Sequence, residues 1–168
     1  GGHKENRRVG GEWGGGEGSK KVLRGWYDAG EGGSLMDDEG LDLLLGRDVP
    51  VVPALQFEWA GVEYGKEFGM SQRVIDGHQE TLDGGAASAL RILRSGGRLG
   101  MGGDYGFAWT PHGTYAKEPP FFVKHLGFTP LATIICAPTT GPGLVGRATE
   151  IGAPPAGKRA RHGGAAGG

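Results

Sequence analysis

Glycine limits what this chain can fold into more than any other feature of its sequence. It accounts for 37 of the 168 residues, about 22%, against roughly 7% in ordinary proteins. Each glycine adds backbone freedom that folding must remove, so we expect a less stable protein than the length suggests. The glycines crowd both ends. We therefore predict a glycine-rich, low-complexity or disordered segment over 1–18, a folded part over 19–152 and a Gly/Ala/Arg-rich tail over 153–168.

Charge and cysteine content exclude several classes of protein. Eighteen basic and 19 acidic side chains leave a net charge of −1, whereas a nucleic-acid-binding protein normally carries a basic excess. The single cysteine, Cys136, excludes an internal disulfide framework and a cysteine-rich zinc module. The sequence contains neither an apolar stretch of membrane-spanning length nor an apolar leader near its start. It therefore predicts a cytoplasmic protein without a membrane or nucleic-acid partner.

Hydrophobic periodicity predicts helices that alternate with short strands. Ser34 and Asp37 have the spacing of a helix start, and an apolar stripe of leucines follows at 41, 44 and 45. Residues 49–55 form an apolar run of strand length, and 72–95 form the longest helical pattern, with His78 on its apolar face. This alternation is typical of an α/β fold with parallel strands.

A further helix is predicted after the turn at Gly127. Thr129 followed by Pro130 has the form of an N-cap and a proline in the first helical position. Leu131, Ile134 and Ile135 are then expected to face inward, and Pro138 is expected to end the helix. A short helix over 120–126, closed by Gly127, precedes it.

Three ordered segments carry a resemblance to a known family. Residues 100–117 read GMGGDYGFAWTPHGTYAK, a short strand that ends in Gly-Gly-Asp before a loop with Pro-His-Gly. This segment resembles the last barrel strand of the metal-dependent amidohydrolases, closest to the imidazolonepropionase-like and prolidase-like branch. Residues 33–45 and 127–152 resemble that family's segments after the sixth strand and after the barrel.

The resemblance implies an α/β fold, a partial (β/α)8 TIM-type barrel made of about the last three to four βα units. It implies a divalent metal, zinc above all, and a small-molecule substrate with a carbon–nitrogen bond (an amide, cyclic amide or dipeptide-like bond). Asp104 matches the family aspartate that contacts the metal and takes a proton from the attacking water. His112 and Tyr105 are candidates for substrate binding.

Departures from the family pattern suggest impaired activity. The sequence contains no His-x-His pair, and Gly32 stands where the sixth-strand histidine is expected. One carboxylate cannot hold a catalytic zinc ion, which takes three protein ligands. The alternative is a catalytically inactive, truncated family member that acts as a binding or assembly subunit. A homodimer through open barrel edges is also possible. A glycine-rich nucleic-acid binder would need clustered basic and aromatic residues, and the glycine-rich start offers only Trp13.

Overall fold

A computed structural model describes residues 10–13, 15–24, 29–32 and 36–152. The elements are, in chain order, β1 Gly10–Trp13, α1 Gly15–Arg24, β2 Ala29–Gly32, α2 Asp38–Arg47, β3 Val51–Val52, α3 Leu55–Tyr64, α4 Gln72–Arg94, a 3-10 turn Tyr115–Lys117, α5 Glu118–Leu126 and α6 Pro130–Leu144. None of the helices within these ranges is long and apolar enough to cross a membrane.

The strands form a parallel sheet in the order β1-β2-β3. Gly10 lies opposite Ala29, and Gly30 lies opposite Val51. An isolated parallel bridge between Val51 and Leu99 adds the segment before Asp104 beside β3. Helices separate the successive strands, so the predicted α/β class with parallel pairing is confirmed. Strands this short in a helix-rich chain do not by themselves establish a barrel.

The start of the chain differs from the prediction. Strand β1 and the first residues of α1 lie inside the segment predicted to be low in structure. Strand pairing uses backbone groups, so a glycine-rich segment can be held by its neighbour β2 without apolar side chains of its own. Residues 1–9 and 153–168 lie outside the described ranges, and the predicted domain boundaries there stay predictions.

Helix α2 lies where the leucine stripe predicts a helix, but it begins at Asp38, later than the start predicted from Ser34. Asp37 is the N-cap, and its Oδ1 accepts a hydrogen bond from the Gly40 backbone N–H at 2.9 Å. This bond satisfies one of the free N–H groups at the start of the helix. Leu41 and Leu44 are buried as the periodicity predicts.

The predicted strand over 49–55 is confirmed only at Val51–Val52, which form β3. Ala54 adopts a left-handed backbone conformation, with φ 50°, and the chain turns directly into α3 at Leu55. This helix was not predicted, because the short apolar run over 49–55 favoured a strand. Burial of Leu55 and Ala60 holds α3 against the rest of the protein.

The core lies between the helices and β3. Phe122, Leu44, Leu55, Ile92 and Val51 each expose at most 1% of their surface. They come from α5, α2, α3, α4 and β3, so one apolar cluster joins most of the described elements. Burial of apolar area at about 25 cal/mol per Å² is the main stabilising term for such a cluster.

Helix α6 begins as predicted but presents a different face. The Thr129 hydroxyl accepts a hydrogen bond from the Ala132 N–H at 3.1 Å, which confirms the N-cap. The predicted inward face is wrong, because Leu131 and Ile134 are 67% and 66% exposed while Thr133 and Thr140 are buried.

The predicted end of α6 at Pro138 is also wrong, because the helix runs on to Leu144. Leu144 and Thr140 approach Gly100, where an added Cβ would lie 2.9 Å and 3.6 Å from their side chains. This packing against the segment beside β3 offsets the cost of proline inside a helix, about 3 kcal/mol.

Candidate functional site

Asp104 lies five residues after Leu99, at the end of the segment that pairs with β3. Its side chain is exposed, and its backbone has φ 50°, in the left-handed region. Aspartate tolerates this conformation better than most residues because its short polar side chain can bond locally. The chain therefore turns sharply at Asp104 and leaves the carboxylate facing solvent at the end of the parallel segment.

Thr110 closes the loop that begins at Asp104. Its hydroxyl donates to the Asp104 carbonyl at 3.0 Å, and its own carbonyl accepts the Gly106 N–H at 2.8 Å. Thr110 is fully buried. These two bonds fix the backbone on the C-terminal side of Asp104.

Glu118, at the start of α5, accepts hydrogen bonds from residues on both sides of Asp104. Its Oε2 accepts the Tyr105 hydroxyl at 3.2 Å, and the Gly102 backbone N–H also donates to this carboxylate. Only 4% of Glu118 is exposed, and its Oε1 has no hydrogen-bond partner. Burial raises the pKa of Glu118 to about 7, although the hydrogen bonds from Tyr105 and Gly102 act to lower it. Glu118 is therefore a positioning residue for Asp104.

Tyr105 was predicted to contact substrate, and the structure gives its hydroxyl a partner inside the protein. The hydroxyl donates to Glu118, and the ring packs edge-on against the ring of Tyr115, with the two centroids 4.7 Å apart. Burial and the neighbouring Glu118 raise the pKa of Tyr105, so the group stays protonated at neutral pH. Substrate contact by Tyr105 stays a prediction.

His112 lies on the exposed part of the same loop. Its Nδ1 is 3.1 Å from the Tyr115 hydroxyl, and its Nε2 would lie 3.2 Å from a Cβ added at Gly106. The ring therefore covers the turn two residues beyond Asp104. Its predicted role in substrate binding stays a prediction.

A pair of titratable side chains, Glu58 and His78, lies near Asp104. His78 Nδ1 and Glu58 Oε2 are 2.6 Å apart, and both side chains are largely buried between α4 and α3. Burial raises the pKa of Glu58, the hydrogen bond and charge of His78 oppose this, and the Asp104 charge raises it further. The last effect requires Asp104 and Glu58 to lie within electrostatic range of each other.

His78 was predicted to be a packing residue, and the structure adds a hydrogen-bond partner, Glu58, to that role. Its ring does pack, with centroids 5.5 Å from Phe57 and 6.1 Å from Trp109. The partner could not be foreseen, because Glu58 lies on the helix α3 that the sequence pattern missed.

An aromatic cluster covers the Glu58–His78 pair on the side of the Asp104 loop. The rings of Phe57, Phe107 and Trp109 lie 4.9 to 5.5 Å apart, and Phe107 stays 43% exposed. The Trp109 Nε1 is buried without a hydrogen-bond partner. The site thus combines an exposed carboxylate, a buried acid–base pair and an apolar wall.

The residues present do not fit the expected metal. Within the described ranges, no three histidine, cysteine, aspartate or glutamate side chains lie close enough together to hold an ion. Asp104 and the Glu58–His78 pair are therefore insufficient as a metal site, since catalytic zinc takes three protein ligands. Any metal bound at Asp104 would need donors from beyond these residues.

We expect Gly61→Ala to separate α3 from α4 at the His78 ring. A Cβ at Gly61 would lie 2.7 Å from two atoms of that ring, which is closer than any real contact. Overpacking of this kind costs about 1–3 kcal/mol. Urea unfolding should report that loss, together with a weaker Glu58–His78 contact in the histidine NMR signals.

Gly77→Ala on α4 is the matched control. No atom lies within 4 Å of a Cβ added there, so the change should stabilise by up to about 1 kcal/mol through helix propensity. Equal effects of the two substitutions would contradict the proposed contact at Gly61.

Comparison with known proteins identifies the fold. No protein-family model and no curated protein matches the sequence. Among solved structures, the chain matches a candidate prolidase from Bifidobacterium longum with a TM-score of 0.83 and 22% identity over 93% of this chain. It also matches a prolidase complexed with N-methylphosphonate-L-proline, with a TM-score of 0.80, 23% identity and 94% of this chain covered.

A third match is the ochratoxinase of A. niger, with a TM-score of 0.75, 21% identity and 90% of this chain covered. The chain spans 40%, 38% and 33% of these three proteins, respectively. At this level of identity the likeness concerns the fold. The resemblance to amidohydrolases that the sequence predicted is confirmed on that basis.

Proposed function

We propose that this chain acts as a hydrolase on a carbon–nitrogen bond, in an amide, cyclic amide or dipeptide-like small molecule, with Asp104 as the proton acceptor. The observation that supports this most strongly is the position of Asp104, exposed at the end of a segment that pairs in parallel with β3. In α/β folds with parallel strands, catalytic groups gather beyond the carboxyl ends of the strands. The proposal includes the arrangement of the chain as the last three to four βα units of a barrel.

The chemistry assigned to Asp104 is general base catalysis. A water oxygen bonds to the carbonyl carbon while one of its protons passes to the Asp104 carboxylate. The carbon–nitrogen bond then breaks, and the departing amine takes that proton. Glu118 and Thr110 keep the carboxylate in place by holding the backbone on both of its sides. His112 and Tyr105, with the exposed Phe107, are the proposed substrate contacts.

The resemblance also implies zinc, and the donors for it would have to lie outside the described residues or on a partner. Since the described residues alone do not form such a site, no step of the proposed chemistry is assigned to a metal. The same observation favours a second candidate, a catalytically inactive subunit that binds or assembles with a partner. A homodimer that forms through the open edge of the sheet is compatible with both the enzyme and the subunit.

The two candidates differ in what the purified chain does with zinc. If donors from outside the described residues or from a partner copy complete the site, the full chain, equilibrated with zinc and desalted, retains stoichiometric metal by elemental analysis. We also expect it to hydrolyse at least one of three probes: an Xaa-Pro dipeptide, an N-acyl amino acid and a cyclic amide. Light scattering on the same sample gives the oligomeric state. A chain that retains no zinc and leaves all three probes intact would overturn the enzyme and support the subunit.

A further inference from the structure

A cleft of about 290 Å³ lies between α3 and α5, next to the 3-10 turn. Its walls are mostly aromatic. His125 stacks on Phe121 with centroids 4.6 Å apart, and Trp59 lies 5.9 Å from His125 and 6.1 Å from Phe121. These rings make an apolar wall suited to one flat group.

The charged residues of the cleft are all basic. Lys117 and Lys124 line it, and no acidic side chain does. Within the described ranges neither lysine forms an ion pair, and the Nζ of Lys117 lies over the ring of Tyr64, 5.9 Å from its centroid. Lys124 is close enough to add to the effect of burial in lowering the pKa of His125. The cleft therefore offers uncompensated positive charge at an apolar wall.

Gln56 adds a buried polar group to the same cleft. It lines the cleft, only 2% of it is exposed, and its Oε1 has no hydrogen-bond partner. A buried amide oxygen without a partner costs free energy, so such groups usually have one when their site is complete. A ligand or its bound water could supply the missing donor after a small rotation of this side chain.

We propose that this cleft binds a small carboxylic acid with an aromatic body. The ring stacks against Trp59 and Phe121, and the carboxylate pairs with Lys117 and Lys124 at the exposed side. Gln56 and Glu58 are two residues apart on α3, and Lys117 directly precedes Glu118. The cleft residues therefore lie on elements shared with the Asp104 site but do not belong to that site.

The volume limits the size of the ligand. Ligand pockets typically measure about 300–1,000 Å³, and an apolar cavity of about 150 Å³ is enough for benzene. The cleft, at about 290 Å³, therefore suits one or two fused rings with a short acidic arm. Phenylacetate is the appropriate probe.

The experiment compares three ligands that share one ring and differ in charge. The ¹⁵N-labelled full chain is titrated with phenylacetate, neutral phenylacetamide and cationic phenethylamine, and the backbone shifts of α5 are followed by NMR. We expect phenylacetate to bind most tightly, with the amide about tenfold weaker and the amine weaker still. Equal affinity of acid and amide would overturn the assignment, and so would the absence of binding by all three.

Variants identify the groups that recognise the acid. Lys117→Gln and Lys124→Gln replace exposed side chains, so the fold should be retained, and each should weaken phenylacetate binding about tenfold while phenylacetamide binding stays unchanged. Lys66→Gln is the matched control, because Lys66 is exposed in the α3–α4 turn and does not line the cleft. Gln56→Leu should weaken all three ligands. If Lys66→Gln weakened phenylacetate binding as much as the cleft variants do, the effect would come from net charge, and the proposal would be contradicted.

Discussion

The free energy of unfolding should fall by on the order of 2 to 3 kcal/mol between pH 5 and pH 8 because of Glu118 alone. Burial raises the pKa of this carboxyl in the folded protein to about 7, from a value of 4.5 in the unfolded chain. Between these two values the folded state keeps a proton that the unfolded state has released. The stabilisation is therefore complete below about pH 4.5 and is lost as the pH rises through about 7.

Glu118→Gln isolates this contribution. Glutamine keeps the size of the side chain and can still accept the Tyr105 and Gly102 hydrogen bonds, but it does not titrate. We expect the stability of wild type relative to this variant to decrease steadily from pH 5 to pH 8 in urea unfolding. Other carboxyl groups titrate in both proteins, so their effects cancel in the difference.

Glu80→Gln is the matched control for Glu118→Gln. Glu80 is exposed on α4, so its substitution should shift stability by less than about 0.5 kcal/mol and leave the pH dependence of wild type intact. Parallel pH profiles for wild type and Glu118→Gln would contradict the raised pKa of the buried Glu118.

Asp104 was identified through the resemblance of residues 100–117 to the last barrel strand of the amidohydrolases. In the structure Asp104 adopts the left-handed conformation five residues after Leu99, which forms a parallel bridge to β3. The N-cap of α6 could be read directly, because Thr129 bonds to the backbone only three residues further along the chain. Interactions over such short separations are set by residue type and spacing.

The surroundings of Asp104 depend on contacts that no local pattern specifies. Glu118 follows Asp104 by 14 residues and reaches back to Tyr105, and Glu58 meets His78 across 20 residues. Glu58 was missed because the turn at Ala54 replaced the expected strand with α3. Such pairings follow from how the helices pack, which the periodicity of one helix does not show.

Helix α6 illustrates a different failure of periodicity. Leu131 and Ile134 form an apolar stripe that should face inward, yet both are exposed while Thr133 is buried. The Thr133 hydroxyl donates to the Thr129 carbonyl at 3.0 Å, so its polar group is satisfied inside its own helix. A threonine bonded in this way can be buried at little cost, and the apolar stripe then loses its predictive value.

The proposed chemistry makes a large and specific prediction for Asp104→Asn. The amide matches the shape of the carboxylate but cannot accept a proton at neutral pH, so general base catalysis by this residue is lost. Such catalysis contributes about 10²- to 10⁴-fold to the rate. Because Asp104 is exposed, the substitution should leave stability almost unchanged.

Asp42→Asn is the control that matches this change in charge. Asp42 is exposed on α2, away from the Asp104 loop in the chain. Its substitution alters net charge by the same amount, so any general effect of charge on zinc or substrate would appear in both variants. An effect that is specific to the site appears only in Asp104→Asn.

The most direct test of Asp104 as the catalytic carboxylate is kcat/KM for wild type, Asp104→Asn and Asp42→Asn, measured together on an Xaa-Pro dipeptide with zinc present. We predict a loss of at least about 100-fold for Asp104→Asn and a value within about twofold of wild type for Asp42→Asn. Hydrolysis by Asp104→Asn at the rate of wild type would contradict the proposed role of Asp104.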